Sequence, residues 1–323
     1  MARYVGQRLL QFVLVVFGAT FVSFIAMFVA TDPARTALPT GASRADVAAF
    51  RAEHGFDRPV LEQYINYMWN ALHGDFGTSL WMGQPTLEVV LSSLPATAAI
   101  AIPATVIGCL LGVGFGIASS MKPGGGFDNT MNVVSYGMIS VAEFWLAMLL
   151  ILVFAVQLGL VPAAAQPGTF ASFVLPVLVL AIRPFAHQMQ MMRASMLSER
   201  MKQYVNTARS KGLSDTRIAY RHVLRNAAIP SVTLACYEMS RVFVGTAVAV
   251  EVVFSWPGIG LLGTEALQRG DIFLVQGVVV VASIMVGLLN LTADLLGFWL
   301  DPRTRTSIQR SKRVVSAKIQ VAA

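Results

Sequence analysis

The sequence predicts an all-α integral membrane protein with six spanning helices and an external helical cap. Three observations predict this. Apolar residues make up 55% of the 323-residue chain and charged residues only 13%, with a mean hydropathy of +0.64. A soluble domain carries about 25% charged residues. Apolar runs of roughly 20 residues, the length that crosses the hydrocarbon layer, recur along the chain. The basic residues behind the net charge of +7 gather in alternate loops. That pattern sets membrane orientation and argues against a nucleic-acid footprint.

The elements follow in order. Arg3 and Arg8 precede an unbroken apolar run, Leu9 to Ala30. A cleaved signal peptide starts in the same way, but its apolar part is only about 7–15 residues, so 1–30 reads as a short tail and an uncleaved first helix. Residues 31–94 form the longest polar stretch, in which acids outnumber bases, and read as an external helical region. There Ser43 suits a helix N-cap, with the helix running to about His54 and Gly55 at its end. Pro59 precedes an amphipathic helix with Val60, Tyr64, Met68, Trp69 and Leu72. A packed cap and a contact surface for a substrate-delivering protein both fit this region.

The second span is expected from Pro95 to Ser119. Gly108, Gly112 and Gly116 recur on one face, which lets another helix of the same subunit approach closely. The third span is expected from Thr130 to Leu158, interrupted by Glu143, an ionisable residue at membrane depth and so a pathway candidate. The fourth runs from Ser172 to about Met192, with Arg183 and Pro184 inside it. The fifth runs from Ser231 to Phe254, where Glu238 and Arg241, three apart, share a helix face and can pair; as ionisable residues in a span both are pathway candidates. Past Glu251 a Pro257-Gly258 turn breaks the backbone. Irregular backbone at membrane depth survives only in protein or beside a water path, which makes Glu251 a further pathway candidate. The sixth runs from Asp271 to Leu300 and carries Asn290 and Asp294, the latter a pathway candidate. Cys109 and Cys236 fall in apolar runs, so neither a disulfide nor a metal site is expected.

Between the fourth and fifth spans lies Tyr204 to Pro230, basic and well below spanning hydropathy. Its apolar positions follow a helical period that breaks at Gly212. Two short helices bent at Gly212 are expected, with Ser214 as the N-cap of the second. The polar face carries Arg209, Lys211, Arg217, Arg221 and Arg225.

The run Tyr204-x-x-Thr207-Ala208-Arg209-x-Lys211-Gly212-Leu213, then Arg221-His222-x-x-Arg225-Asn226-Ala227-x-Ile229-Pro230, resembles the cytoplasmic loop of permease subunits of ABC importers, closest to the oligopeptide/dipeptide/nickel branch. His54 to Pro59, Gly74 to Ser79, Glu251 to Gly260, Asn290 to Asp294 and Asp301-Pro302-Arg303 resemble the same branch. Asn206, Thr207 and Ala208 stand at the family's Glu-Ala-Ala positions. Asn206 thus replaces the glutamate, and the spacing from Gly212 to Pro230 is longer than the general pattern.

The resemblance implies that 204–230 is a coupling helix docking on an ATPase, with Asn206, Thr207, Ala208, Lys211, Gly212, Leu213, Ser214, Asp215 and Arg217 in contact. It implies a permease core over 95–303, followed by a basic cytoplasmic tail, 304–323. It also implies a second homologous permease, two ATP-binding subunits that hold the ATP and Mg, and an external solute-binding protein, all in the bacterial inner membrane with both termini cytoplasmic. Di- and oligopeptides are the implied cargo, with nickel chelates or opine-like compounds as alternatives. A secondary transporter is the runner-up class. No P-loop, HExxH or GxSxG motif is present, so neither ATP hydrolysis nor another enzyme activity is expected of the chain itself, and no cofactor.

Overall fold

The computed structural model describes residues 2–30, 32–38, 41–166 and 169–300. The Asp301-Pro302-Arg303 motif and the basic tail lie outside the described residues. The helices in order are α1 (Ala2–Ala30), α2 (Pro33–Ala37), α3 (Arg44–His54), α4 (Val60–Leu72), α5 (Thr86–Met121), α6 (Gly126–Ser140), α7 (Glu143–Leu150), α8 (Ala171–Arg200), α9 (Gln203–Ser210), α10 (Asp215–Ile218), α11 (Leu224–Arg241), α12 (Ala247–Phe254), α13 (Ile259–Gln268) and α14 (Ile272–Leu300). Among the described residues, four helices are long and apolar enough to cross a bilayer, and two bent helix pairs bring the number to as many as six.

Four sequence expectations are corrected. The third span is not one helix: α6 ends where Val141 turns extended (φ −85°, ψ 132°). Glu143 then opens α7, where an acid in the first turn suits the positive end of the helix dipole. The second span begins at Thr86 rather than Pro95, because Val89 and Val90 are already in the core. The fourth helix runs on to Arg200, since Met192 and Met196 are buried on its inner turns. The helix that starts at Asp215 is not short: it continues to Phe254 through wide, π-type turns at Ala219–Val223 and Val242–Thr246.

The chain divides into two compact units, the first made of Met1–Pro103, Glu143–Leu180 and Arg241–Gly287. In this unit α3 begins with a capping box: Ser43 accepts from the Asp46 amide and Asp46 accepts back from the Ser43 amide. The bonds from Ser43 hold the Asp46 carboxyl below its ordinary range. Gly55 closes α3 in the left-handed region (φ 69°). Phe24, Met27, Tyr64, Tyr67, Met68, Val90, Leu262 and Leu274 form the core. The loop before α5 is tied to the start of α14. Buried Asp271 accepts from Ser79 Oγ (2.6 Å), the Trp81 amide (3.0 Å) and the Leu274 amide (3.0 Å). The Arg269 guanidinium lies 3.9 Å over the Trp81 ring.

The second unit takes in Ala104–Ala142, Ala181–Ser240 and the chain from Leu288. Its axis is the contact of α5 with α8. A Cβ on Gly108 or Gly112 would stand 2.5 Å from the carbonyl oxygen of Ala181 or Phe185, and one on Gly116 would stand 2.6 Å from that of Met189. The glycine face thus packs within the chain, as expected. Further along, α8 is pinned to α6 and α5. Arg193 grips buried Asp128 with Nε (2.6 Å) and Nη2 (2.7 Å), and Asp128 also accepts from Ser119 Oγ and the Gly124 amide (2.8 Å). Arg200 donates to the Ser120 carbonyl (2.7 Å).

Candidate functional site

The segment from α9 onward is two-sided. Val205, Ala208, Ile218, Ala219, Val223 and Ala227 are buried against Ile117, Met192 and Met196. Asn206, Thr207, Arg209, Lys211, Asp215, Arg217, Arg221 and Arg225 are exposed on the other side. Ala208, at the last of the three family positions, therefore seats the helix, whereas Asn206 and Thr207 face outward. Leu213 is half-buried against the same cluster.

The bend is a built turn. Gly212 adopts φ +78°. Its amide donates to the Arg209 carbonyl (2.9 Å) and the Leu213 amide to the Ala208 carbonyl (3.3 Å). This is the paired closure of a helix end that a left-handed glycine permits. Ser214 then caps the next helix, accepting from the Arg217 amide at 3.4 Å, as expected. Arg209 Nε reaches Asp215 Oδ1 across the turn (3.0 Å). Both side chains are exposed, and such a pair contributes only about 0–1 kcal/mol.

Sequence reasoning missed the clasp at the entrance. Tyr204 donates to Glu199 Oε2 (2.8 Å), Asn226 Nδ2 donates to the Tyr204 hydroxyl (3.5 Å), and Lys202 pairs with Glu199. Burial first, then the Glu199 carboxylate, push the Tyr204 phenol above its ordinary value, against the Asn226 bond. Tyr204 therefore stays a donor at neutral pH. The opposite charges at 199 and 202 were the only local signal.

The pathway candidates are held in different ways. Glu143 is half-buried at the start of α7 and Arg241 half-buried at the end of α11. Glu238 is buried and meets His187 Nδ1 at 2.7 Å, a partner its sequence position did not suggest. Asp294 accepts from the Tyr237 hydroxyl (2.8 Å). Glu251 is fully buried and has a definite task. It accepts from Thr97 Oγ1 (2.6 Å) and from the amides of Gly260 (2.7 Å) and Leu261 (3.1 Å), while the Ile259 amide donates to Thr97 Oγ1 (2.9 Å). Those amides are the first-turn donors of α13, which have no partner inside their own helix. Trp256 Nε1 donates to the Ala96 carbonyl (2.8 Å), and Ser255 makes the corner at φ +50°.

Glu251→Gln keeps the size but turns one acceptor into a donor. The amide oxygen can keep the Gly260 and Leu261 bonds, but the bond from Thr97 must then reverse and its hydroxyl hydrogen loses its acceptor, at about 1–3 kcal/mol for a buried group left unmade. The melting temperature of the detergent-solubilised transporter is expected to fall; an unchanged melting curve would contradict this role.

An all-α chain with four to six apolar spans and a polar two-helix elbow on its second unit is a multi-pass membrane subunit. Residues 106–306 match the family described as binding-protein-dependent transport system inner membrane component, and residues 1–101 match the N-terminal region of such components. The chain belongs to this family. It is similar to the oligopeptide transport system permease protein AppB of Bacillus subtilis, 31% identical over 94% of this chain and 99% of that protein. It is also similar to the dipeptide transport system permease protein DppB of Escherichia coli, 32% identical over 92% and 99%. A putative peptide transport system permease protein of Brucella abortus is 30% identical over 94% and 99%. The protein is thus a permease subunit rather than an enzyme, lies in the membrane as a multi-pass component, and works with a substrate-binding protein and ATPases. Permeases of this family generally need no cofactor of their own.

Proposed function

We propose that the chain is one of two homologous permease subunits of an ATP-driven importer of di- and oligopeptides. In this reading two ATPase subunits, which bind the ATP and Mg, dock on the exposed face of 204–230 at the cytoplasmic side. The observation that carries it is the two-sided elbow: a polar, cation-rich face over an apolar base, turned through a capped glycine corner. A motor needs such a surface to push, and the buried base passes the push to α5 and α8. Coupling of this kind requires that docking energy differ between the inward- and outward-open states. The concentration of Lys and Arg in 1–8, 120–129, 193–230 and 301–323 supports cytoplasmic termini. The printed names of the similar permeases, matched over nearly the whole chain, support peptides as cargo. Residues 95–303 form the permease core in this reading, and 31–94 the external region.

Reversing charge at two exposed positions, Lys211→Glu with Arg217→Glu, tests the coupling. Peptide uptake by proteoliposomes holding the complete transporter is expected to fall by ~5–150-fold, the usual range of coupling energies, with the subunit still inserted. Undiminished uptake would refute the docking surface. Uptake of nickel chelates with no uptake of labelled di- or tripeptides would refute the cargo.

A further inference from the structure

Helix α4 has three faces. At 100° per residue, Tyr64, Tyr67, Met68 and Ala71 fall on one arc and pack into the core with Phe24 and Met27 of α1. Glu62, Asn66, Asn70 and His73 fall on a second arc and are exposed. Leu61, Ile65, Trp69 and Leu72 fall on a third arc beside the buried one, and are 60%, 56%, 64% and 68% exposed. Among the described residues the His73 ring meets Trp69 (centroids 4.9 Å apart), but more than half of each of these four side chains stays uncovered, and none of the four is charged.

The position of α4 along α1 says what covers it. Tyr64 donates to the Phe17 carbonyl (2.9 Å), shares a hydrogen bond with Thr20 Oγ1 (2.9 Å), and sets its ring against Phe21 and Phe24. The apolar span of α1 runs from Gly6 to Val29. The Tyr64 hydroxyl reaches down to Phe17, but its ring lies at the level of Phe21 and Phe24, eight and five residues short of the end of the span, about 12 and 8 Å at 1.5 Å per residue. At that level α1 itself leaves Val22 67% exposed and Phe21 and Ile25 37% and 38% exposed, with the Phe21 ring meeting Tyr64 on one side. A stripe continuous with such a surface, and at its depth, faces the same medium. At thirteen residues, α4 is too short to span, since crossing needs about 20. An apolar side, a polar side and a tryptophan on the boundary are the marks of a helix lying in the membrane interface.

We propose that α4 is not part of a soluble cap. It is embedded along the leaflet beside the second half of α1, with Leu61, Ile65, Trp69 and Leu72 against lipid acyl chains and Glu62, Asn66 and Asn70 toward water. A soluble binding protein docks elsewhere on 31–94, because it cannot reach the depth of Phe21 and Val22.

The test uses the complete transporter in lipid nanodiscs with Cys109→Ala and Cys236→Ala replacing the two free thiols. Spin labels are placed singly through Leu61→Cys, Ile65→Cys, Trp69→Cys, Leu72→Cys, Asn66→Cys and Asn70→Cys. Labels at 61, 65, 69 and 72 are expected to collide with oxygen in preference to a water-soluble nickel complex. Those at 66 and 70 are expected to show the reverse, and binding protein is expected to change neither. Preference for the nickel complex at the four apolar positions would overturn the proposal. So would shielding from both reagents, which would put a protein subunit there, or shielding only when binding protein is added. With native thiols, the emission lost in Trp69→Phe is expected to be the part quenched by lipids brominated along their chains; no loss of quenchable emission would also overturn it.

Discussion

Gly212→Pro is expected to reduce uptake by the assembled transporter to background while leaving the subunit in the membrane. The glycine sits at φ +78°, and a proline ring fixes φ near −65°, so the corner cannot be kept. Proline also has no amide hydrogen, and the bond from residue 212 to the Arg209 carbonyl is lost outright. The bond from Leu213 to Ala208 goes with it, because it depends on the same left-handed step. Val205 and Ala208 still anchor α9, and Ile218 and Val223 still anchor the helix that follows. What changes is the angle between them, and with it the surface formed by Lys211, Ser214 and Arg217. ATP hydrolysis by the partner subunits is expected to lose its dependence on loaded binding protein. Gly212→Ala gives the graded control. A Cβ there meets nothing within 4 Å, so its cost is the left-handed backbone alone, roughly 1–2 kcal/mol, and partial uptake is expected. Normal uptake by Gly212→Pro would remove the elbow from the mechanism.

The parts of this site that could be read in advance were those governed by neighbouring residues. Ser43, Gly55, Gly212 and Ser214 act through their own backbone or amides within a few positions, and the structure finds all four at helix ends. The glycine face of α5 was legible because its period is local, although its partner on α8 was not named by any pattern. Glu251 shows where such reading stops. An acid in an apolar run suggests a transport path, yet its hydrogen-bond partner Thr97 is 154 residues away, and nothing near either residue announces the pairing. Asp271 with Ser79, 192 residues apart, is the same case. The continuity of 215–254 was missed for another reason. Polar, cationic composition from 215 to 226 reads as a short surface helix separate from the span that begins at Ser231, but buried Ile218, Val223 and Ala227 keep the helix unbroken into that span. The amphipathic character of 60–72 was legible, with Trp69 and Leu72 on its apolar side, but which medium that side meets was not, since it depends on the level at which Tyr64 docks on α1.

Gly112→Leu is expected to prevent recovery of the assembled transporter, and Gly114→Leu is not. At 112 an added Cβ would stand 2.5 Å from the Phe185 carbonyl oxygen, 2.8 Å from Gln188 Cβ and 3.0 Å from the Met189 amide nitrogen. Two of those obstacles are backbone and cannot rotate away. A leucine must therefore push α5 and α8 apart. Overpacking costs about 1–3 kcal/mol where side chains can yield, and more is expected where they cannot. The separation would also strain the bonds that depend on the approach, Arg193 to Asp128 and Arg200 to the Ser120 carbonyl. That disturbs the base on which Val205 and Ala208 rest. At Gly114, two residues on, a Cβ meets nothing within 4 Å. Both substitutions remove the same backbone freedom and add the same apolar bulk to one helix, so helix propensity and hydrophobicity cancel in the comparison. Recovery is read as the fraction of subunit that co-elutes with its partners after mild detergent extraction. Equal recovery for the two variants would mean that close approach of α5 and α8 does not hold this half of the permease together. The cause of assembly would then have to be sought in the Arg193–Asp128 ion pair and the Arg200 bond to the Ser120 carbonyl.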